Sequence, residues 1–178
     1  GGSARPATAE PSAGATGAAR LDGGPARPDP KDRVIVLRDL DAGLEALDAG
    51  DVAVARKRFE AVLTRDPDDL VAINNLGIIA MRSGDPRRAE ELFRRGLRAD
   101  PQAERMASDL GLSLARQGRH EEAAGFYRQA LALDPTFSAA RFNLALALHR
   151  LGRNAESLAE LERVAEREPG FPGLEGAL

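Results

Sequence analysis

Apolar side chains recur at a fixed interval along most of the chain. From residue 36 onward, one pattern of apolar and polar positions returns every 34 residues. It divides the chain into four units, which span residues 36–69, 70–103, 104–137 and 138–171. Two columns are mostly large and apolar: position 7 has Ala42, Leu76, Leu110 and Leu144, and position 24 has Phe59, Phe93, Tyr127 and Leu161. Each unit is predicted to form one helical hairpin that packs around the side chain at position 24.

Small residues and helix breakers support the same division. Two columns hold small residues that allow the helices of a hairpin to approach: position 8 has Gly43, Gly77, Gly111 and Ala145, and position 20 has Ala55, Ala89, Ala123 and Ser157. A glycine in the middle of each unit is expected to end the first helix in a left-handed conformation. These are Gly50, Gly84, Gly118 and Gly152. An Asp-Pro or Glu-Pro pair closes each unit, as at Asp66-Pro67, and the Asp is expected to cap the next helix.

The most regular unit carries a recognisable pattern. The runs INNLGIIA (73–80) and AEELF (89–93), followed by Pro101, recur in similar form across residues 36–171. In this spacing the chain resembles the tetratricopeptide repeat family, whose unit is a 34-residue helix-turn-helix. The resemblance implies an all-α protein, a right-handed α-solenoid of helical hairpins in which the first helices line a concave groove.

Both ends of the chain depart from the repeat pattern. Residues 1–31 are rich in Gly, Ala and Pro and are predicted to form a disordered tail or linker, since they hold too little apolar surface to fold. A signal or lipid anchor before this start stays open. The four repeats are expected within 32–171, with residues 34–37 extending the first helix. Residues 172–178 are predicted to be the start of a capping helix or a truncated fifth repeat.

Composition narrows the classes of partner and cofactor. The formal net charge of -3 argues against a dedicated nucleic-acid surface. The chain has no cysteine, so disulfides and thiolate metal sites are excluded, and we expect no cofactor. No apolar run approaches the length of a membrane-spanning helix, so we expect no direct insertion into a membrane by this chain. The Ala, Arg and Gly bias is typical of a bacterium with a GC-rich genome. The compartment stays open between the cytoplasm and the periplasm, where the N-terminal linker would tether the protein to the envelope.

No catalytic motif is present, and we expect no enzyme activity. The sequence has no cysteine nucleophile, no P-loop and no GxSxG run. His120 is interpreted as a surface residue of the inter-helix turn, and a lone His149, even if it faces a ligand, makes no metal site. Acidic pairs such as Glu90-Glu91 are interpreted as favourable charges at helix starts rather than as catalytic carboxylates.

The resemblance also implies which side chains face the groove, namely positions 2, 5, 6, 9, 12 and 13 of each unit. Position 9 forms an apolar stripe, position 6 includes asparagines suited to a peptide backbone, and position 13 includes arginines suited to acidic residues. The predicted groove residues are Leu40, Leu44, Leu47, Asn74, Asn75, Ile78, Met81, Arg82, Leu112, Arg116, Phe142, Asn143, Leu146 and Arg150. Two simpler explanations stay open: the stripe seals the junctions between first helices, and the arginines only complement helix C-termini.

Three hypotheses for function follow. The leading one is a non-catalytic interaction module or scaffold whose apolar groove binds a peptide or an amphipathic helix of a partner protein. Leu40 and Leu44 stand where some members of the family hold a C-terminal carboxylate with Lys and Asn, so that mode is not supported. The alternative is a structural protein that self-associates within a cell-envelope, pilus or secretion complex. The third is autoinhibition, with residues 34–37 or Leu174 and Leu178 in the groove.

Overall fold

The structure is a computed structural model that describes residues 30–177. These residues form eight helices and no strand. The helices are α1 Pro30–Asp48, α2 Val52–Arg65, α3 Leu70–Arg82, α4 Pro86–Ala99, α5 Glu104–Arg116, α6 His120–Leu133, α7 Ser138–Arg150 and α8 Asn154–Arg167. In this part of the chain, no helix combines the length and the apolar character that crossing a membrane requires. The eight helices give one pair for each predicted unit, and the all-α prediction is confirmed.

Each helix packs against the helices that precede and follow it in the chain. The odd-numbered helices begin the hairpins, and the even-numbered helices join one hairpin to the next, as α4 does with α5. Helix α5 also contacts α7, so the first helices of the third and fourth hairpins meet. One apolar core runs from α1 to α7, and a smaller cluster closes the C-terminal end. Because each hairpin contacts only its neighbours, the molecule is an α-solenoid.

Glycines end the first helix of every hairpin, as the sequence predicts. Gly84 has φ 78°, a left-handed conformation that side chains with a Cβ rarely adopt. The backbone N–H of Asp85 donates to the oxygen of Ala80 at 2.9 Å, and the N–H of Gly84 donates to that of Met81 at 3.3 Å. These two bonds satisfy carbonyl groups that the end of α3 would otherwise leave without partners. The other three turns repeat this conformation, with φ 77° at Gly50, 78° at Gly118 and 75° at Gly152.

The aspartates of the Asp-Pro pairs do not cap the following helix, which corrects the sequence prediction. Asp100 instead ends α4, and its side chain accepts a hydrogen bond from the N–H of Gln102 at 2.9 Å. The first cap after such a pair is Asp69, whose side chain accepts from the N–H of Ala72 at 2.8 Å. The reason is local: an aspartate before proline reaches the N–H two residues ahead and forms a turn, so the next helix begins several residues later.

Close packing between positions 8 and 24 explains the glycine column. A Cβ built on Gly43 would lie 2.7 Å from Cε1 of Phe59, and one built on Gly111 would lie 2.7 Å from Cε1 of Tyr127. Phe59 and Tyr127 are 0% and 1% exposed, so these rings cannot move aside. An aromatic ring in the second helix therefore requires a glycine in the first helix.

The fourth hairpin solves the same packing problem with different residues. Leu161 replaces the ring at position 24, and Ala145 replaces the glycine at position 8; they are 3% and 0% exposed. Ser157 at position 20 is also buried, and its Oγ donates to the backbone oxygen of Ala145 at 2.8 Å. A smaller side chain in the second helix leaves room for the alanine methyl group.

The two ends differ from their predicted boundaries. Helix α1 already begins at Pro30, because proline is well suited to a first helical position and Asp32 favours the first turn. The rest of the predicted tail, 1–29, lies outside the described residues. Residues 171–177 form successive turns that include Pro172, Gly173 and Gly176, and the start of a capping helix or a truncated fifth repeat over 172–178 stays a prediction. These turns place Leu174, 4% exposed, over the C-terminal end of the core.

Candidate functional site

The first helices α3, α5 and α7 enclose two adjoining cavities. One of about 190 Å³ lies between α3 and α5, and one of about 180 Å³ lies between α5 and α7. Leu112 and Arg116 line both. The other predicted groove residues that line them are Ile78, Met81, Arg82, Asn143, Leu146 and Arg150. Residues from three repeats are therefore brought together on one face.

The apolar stripe at position 9 is open at its ends and packed in its middle. Leu44 and Leu146 are 41% and 42% exposed. Ile78 and Leu112 are half-buried and pack against the core. The central side chains therefore pack between first helices and also line the cavities, and the binding of a ligand along the stripe stays a prediction.

The predicted asparagines keep hydrogen-bonding capacity. Asn74 and Asn75 line a third cavity of about 330 Å³, where α3 and α5 begin. Asn75 Nδ2 donates to the backbone oxygen of Val71 at 2.8 Å, which uses one donor within its own helix. Among residues 30–177, the side chain of Asn143 has no hydrogen-bond partner. Asn75 therefore retains a free acceptor, and Asn143 retains both an acceptor and its donors.

Two predicted groove residues have other roles. The ring of Phe142 lies 5.1 Å from that of Phe171, and it packs against the cluster that includes Leu174. It does so because the C-terminal turns pack against the first half of α7 and the second half of α8. Met81 is 8% exposed, so it belongs to the core and forms only the floor of a cavity.

The first repeat contributes no residue to these three cavities. Leu40 and Leu47 are half-buried against the core, and only Leu44 of the predicted trio is exposed. Val34 and Leu37 are 68% and 53% exposed, so residues 34–37 lengthen α1 but do not occupy the groove. The autoinhibitory contact is therefore absent for these residues and for the buried Leu174, while Leu178 lies outside the described residues.

The three arginines at position 13 differ in their contacts. Arg116 Nη1 donates to the backbone oxygen of Met81 at 3.2 Å, which ties α5 to the C-terminal end of α3. Arg82 and Arg150 are exposed, and the side chain of neither has a hydrogen bond or an ion pair within the described part of the chain. One arginine thus supports the packing of two repeats, and two are free at the lip of the groove.

Asp109 lines a cavity, and it belongs to a predicted groove column although it is not among the named groove residues. It stands at position 6 of the third unit and lines the cavity between α3 and α5. Burial raises the pKa of its carboxyl group, and the nearby charge of Arg105 opposes that rise. Its position in the 34-residue register was the available signal, but its burial depends on packing of α3 against α5.

Of the two histidines, His120 differs from its sequence interpretation. His120 is the first residue of α6, half-buried, and it lines the cavity between α5 and α7 instead of standing on an exposed turn. Its Nδ1 is buried, and no described residue hydrogen-bonds to it. His149 is exposed, and its Nδ1 lies 3.0 Å from Oδ1 of Asn154 in the same hairpin. Residues 30–177 contain no group of His, Asp and Glu side chains arranged to hold a metal ion.

Solved structures share this architecture. The chain is 22% identical to the MamA protein, with a TM-score of 0.75 over 80% of this chain and 78% of that one. It is 23% identical to Pseudomonas aeruginosa pilF, with a TM-score of 0.70 over 81% of this chain and 66% of that one. It is 29% identical to a mutant of Thermobaculum terrenum O-GlcNAc transferase, with a TM-score of 0.62, over 68% of this chain but only 23% of that one.

Comparison of the sequence with family models gives the family. One model described as tetratricopeptide repeat matches residues 40–103 and 74–137, and a second with the same description matches residues 114–177. A comparison with curated proteins gives no match. The matched residues extend from α1 to the C-terminal turns and cover all four hairpins. This chain belongs to the tetratricopeptide repeat family.

Proposed function

We propose that this protein is a non-catalytic scaffold that binds a peptide or an amphipathic helix of a partner protein. The binding surface is the face formed by α1, α3, α5 and α7. The observation that carries the proposal is the pair of adjoining cavities around Leu112, which have apolar walls and polar side chains at their rims. Cavities of this character, with a few convergent polar groups, are the usual form of a binding site.

The apolar stripe suits a helical ligand. Leu44, Ile78, Leu112 and Leu146 recur once per hairpin, so they offer a row of contacts rather than one deep pocket. A partner helix whose apolar residues recur at every third or fourth position can lay them along such a row. Because Ile78 and Leu112 are already held by the core, little side-chain freedom is lost when a ligand binds.

The test is capture of partners from a lysate of the source organism with the full chain. Leu112→Glu combined with Leu146→Glu places two charges on the stripe. Val54→Glu combined with Leu158→Glu is the matched control, because Val54 and Leu158 are 40% and 47% exposed on second helices. We expect a partner protein to be captured by the wild type and by the control variant but not by the groove variant. The three forms of the protein should have equal helicity by circular dichroism. Equal capture by all three would refute the groove as the binding surface.

A second candidate function is self-association, within a cell-envelope, pilus or secretion complex. Val34 and Leu37 favour it, since they leave an apolar patch at the start of α1 without cover from the described residues. The molar mass of the full chain, measured by light scattering over a range of concentrations, tests this candidate. A molar mass that grows with concentration in the wild type, but not in the variant Val34→Glu with Leu37→Glu, would support self-association. A molar mass that stays that of a monomer would exclude it.

A further inference from the structure

The charged residues that form ion pairs in this protein are not those at the groove positions. Twelve ion pairs link described residues. Five of them lie within one second helix or between it and its own cap residue, and the other seven join a second helix to another part of the chain. Glu90, for example, accepts hydrogen bonds from Arg94 of the same helix at 2.9 Å and from Arg119, which precedes α6, at 2.7 Å. None of the twelve includes a residue at position 6 or 13 of any hairpin. The groove charges are therefore not used to hold the described fold together.

These unpaired charges change sign along the groove. The first repeat presents Asp41 and Asp48, both exposed and both without a side-chain partner among residues 30–177. The equivalents of Asp48 in the next three repeats are Arg82, Arg116 and Arg150, all exposed. One end of the apolar stripe is thus flanked by carboxylates, and the rest is flanked by guanidinium groups.

The middle of the groove does not disturb this order. Asp109 and Arg105 are on the same helix, and their charges interact with each other. Asn75 and Asn143 stand where Asp41 and Asp109 stand in the other repeats, and asparagine carries no charge. The other charges at positions 6 and 13 are the two aspartates of α1 and the three arginines of α3, α5 and α7, which lie in that order along the stripe.

We infer that the groove binds an amphipathic helix in one direction, with the basic end of the helix at α1 and its acidic end at α5 and α7. This inference rests on the proposed function, because it assumes that the ligand lies along the apolar stripe. The partner is therefore a segment with one apolar face and with charges of opposite sign at its two ends. The stripe supplies most of the affinity, and the charges select the direction, since wrong pairings bring like charges together.

The size of the effect follows from the exposure of the charges. Each favourable pair is expected to strengthen binding roughly twofold to fivefold at low salt. The effect is expected to fall as salt shortens the screening length, which is about 10 Å at 0.1 M. Apolar contacts do not weaken in this way, so added salt separates the two contributions.

Two synthetic peptides of about 20 residues, long enough to form a helix, provide the probe. Both carry the same leucine stripe and equal numbers of Glu and Lys. In the block peptide all Glu residues lie in one half and all Lys residues in the other, whereas in the mixed peptide they alternate. Acetylated and amidated ends remove the terminal charges. We expect the block peptide to bind the full chain several-fold more tightly than the mixed peptide, with the advantage reduced by salt.

The direction of binding is read with a nitroxide label on one cysteine, placed at either end of the block peptide. The protein itself has no cysteine, so the label stays on the peptide. A label at the Glu end is expected to broaden amide signals of α7, near Asn143 and Leu146. A label at the Lys end is expected to broaden signals of α1, near Asp41 and Leu44.

Charge exchange in the protein supplies the control. Asp48→Lys with Arg150→Glu keeps the net charge but removes the gradient, so the advantage of the block peptide is expected to disappear. Lys57→Glu with Glu162→Lys makes the same exchange at exposed positions of second helices, where no effect is expected.

Each other outcome has a definite meaning. The inference is overturned if the two peptides bind with equal affinity or do not bind. It is also overturned if each label broadens the signals of both α1 and α7, or if the labels show the reversed direction. The groove function survives those results if Leu112→Glu with Leu146→Glu still abolishes partner capture. Peptides that bind this groove variant unchanged would instead refute the proposed function. Affinity that falls as protein concentration rises would show that a second copy occupies the groove, which also overturns the inference.

Discussion

The ring of Phe93 lies so close to Gly77 that a single added methyl group tests how the hairpins are packed. A Cβ built on Gly77 would overlap Cε1 and Cζ of Phe93 and would lie 3.0 Å from Cδ1. Phe93 is 1% exposed and cannot swing away without opening the hairpin. Gly77→Ala therefore forces the helices α3 and α4 apart or moves the ring from its preferred rotamer.

The magnitude follows from two opposing effects. Overfilling a packed core lowers the free energy of unfolding by about 1 to 3 kcal/mol. Alanine in place of glycine inside a helix raises it by about 0.8 to 1 kcal/mol. Gly125 provides the matched control, because it lies inside α6 and a Cβ added there would meet nothing within 4 Å. Gly125→Ala is expected to stabilise the protein by about 1 kcal/mol, so the two variants should differ by about 1 to 3 kcal/mol.

Urea unfolding followed by far-ultraviolet circular dichroism measures both variants. A double variant, Gly77→Ala with Phe93→Leu, copies the pair Ala145 and Leu161 of the fourth hairpin. It is expected to be more stable than the sum of the two single changes predicts, by about 0.5 to 3 kcal/mol. The reasoning is refuted if Gly77→Ala is as stable as Gly125→Ala, or if the two changes at the pair are additive.

Three further predictions concern stability. Leu110 is 0% exposed, so Leu110→Ala is expected to lower the free energy of unfolding by about 2 to 5 kcal/mol. Leu158→Ala, at a 47% exposed position, should change it far less. Equal effects of the two variants in urea unfolding would contradict the assigned core. Asp85→Ala removes the bond from the Arg88 N–H and should cost about 0.5 to 2 kcal/mol, with an unchanged midpoint as the contrary result. Burial alone would raise the pKa of Glu90, but hydrogen bonds from Gln117, Arg94 and Arg119 lower it below its ordinary value of 4.5. The ionised carboxylate of Glu90 therefore stabilises the fold above pH 4.5, and this stabilisation is lost as the pH falls through the lowered pKa. Glu90→Gln should be less stable than wild type at neutral pH, and the difference in the free energy of unfolding should shrink in acid. A difference that is independent of pH would argue against this account.

The helices and their order follow from local sequence, and the exceptions are instructive. The glycines at the inter-helix turns predict their own left-handed conformation, because few other residues adopt it. The run Asp66-Pro67-Asp68-Asp69 is different, since it offers three aspartates as caps for α3. Only Asp69 has the spacing that lets its carboxylate reach the N–H of Ala72. Asp66 bonds within the turn, at 3.3 Å from the N–H of Asp68. The choice depends on backbone angles that a residue count does not contain.

The groove was predictable as a set of columns but not residue by residue. Leu112, Leu146 and the arginines at position 13 lie where the register places them. Phe142 belongs to the same register but packs against Phe171, because the chain after α8 folds back over it. His120 looks like a turn residue in sequence, yet α7 brings it into the wall of a cavity. In both cases the decisive neighbour lies in a different hairpin or in the terminal turns.

The sequence by itself determined the periodic part of this protein: the hairpin unit, the turns between its helices, the large residue that packs beside a small one, and the order of charges along the groove. These features depend on contacts within one unit or on the register of identical units, and both are written in a 34-residue period. The tertiary structure alone decided which side chains of the groove are open, which are core and which charges are paired. Those properties depend on how one hairpin stacks on the next and on how the irregular C-terminal turns close the stack, where no repeat supplies a pattern to read.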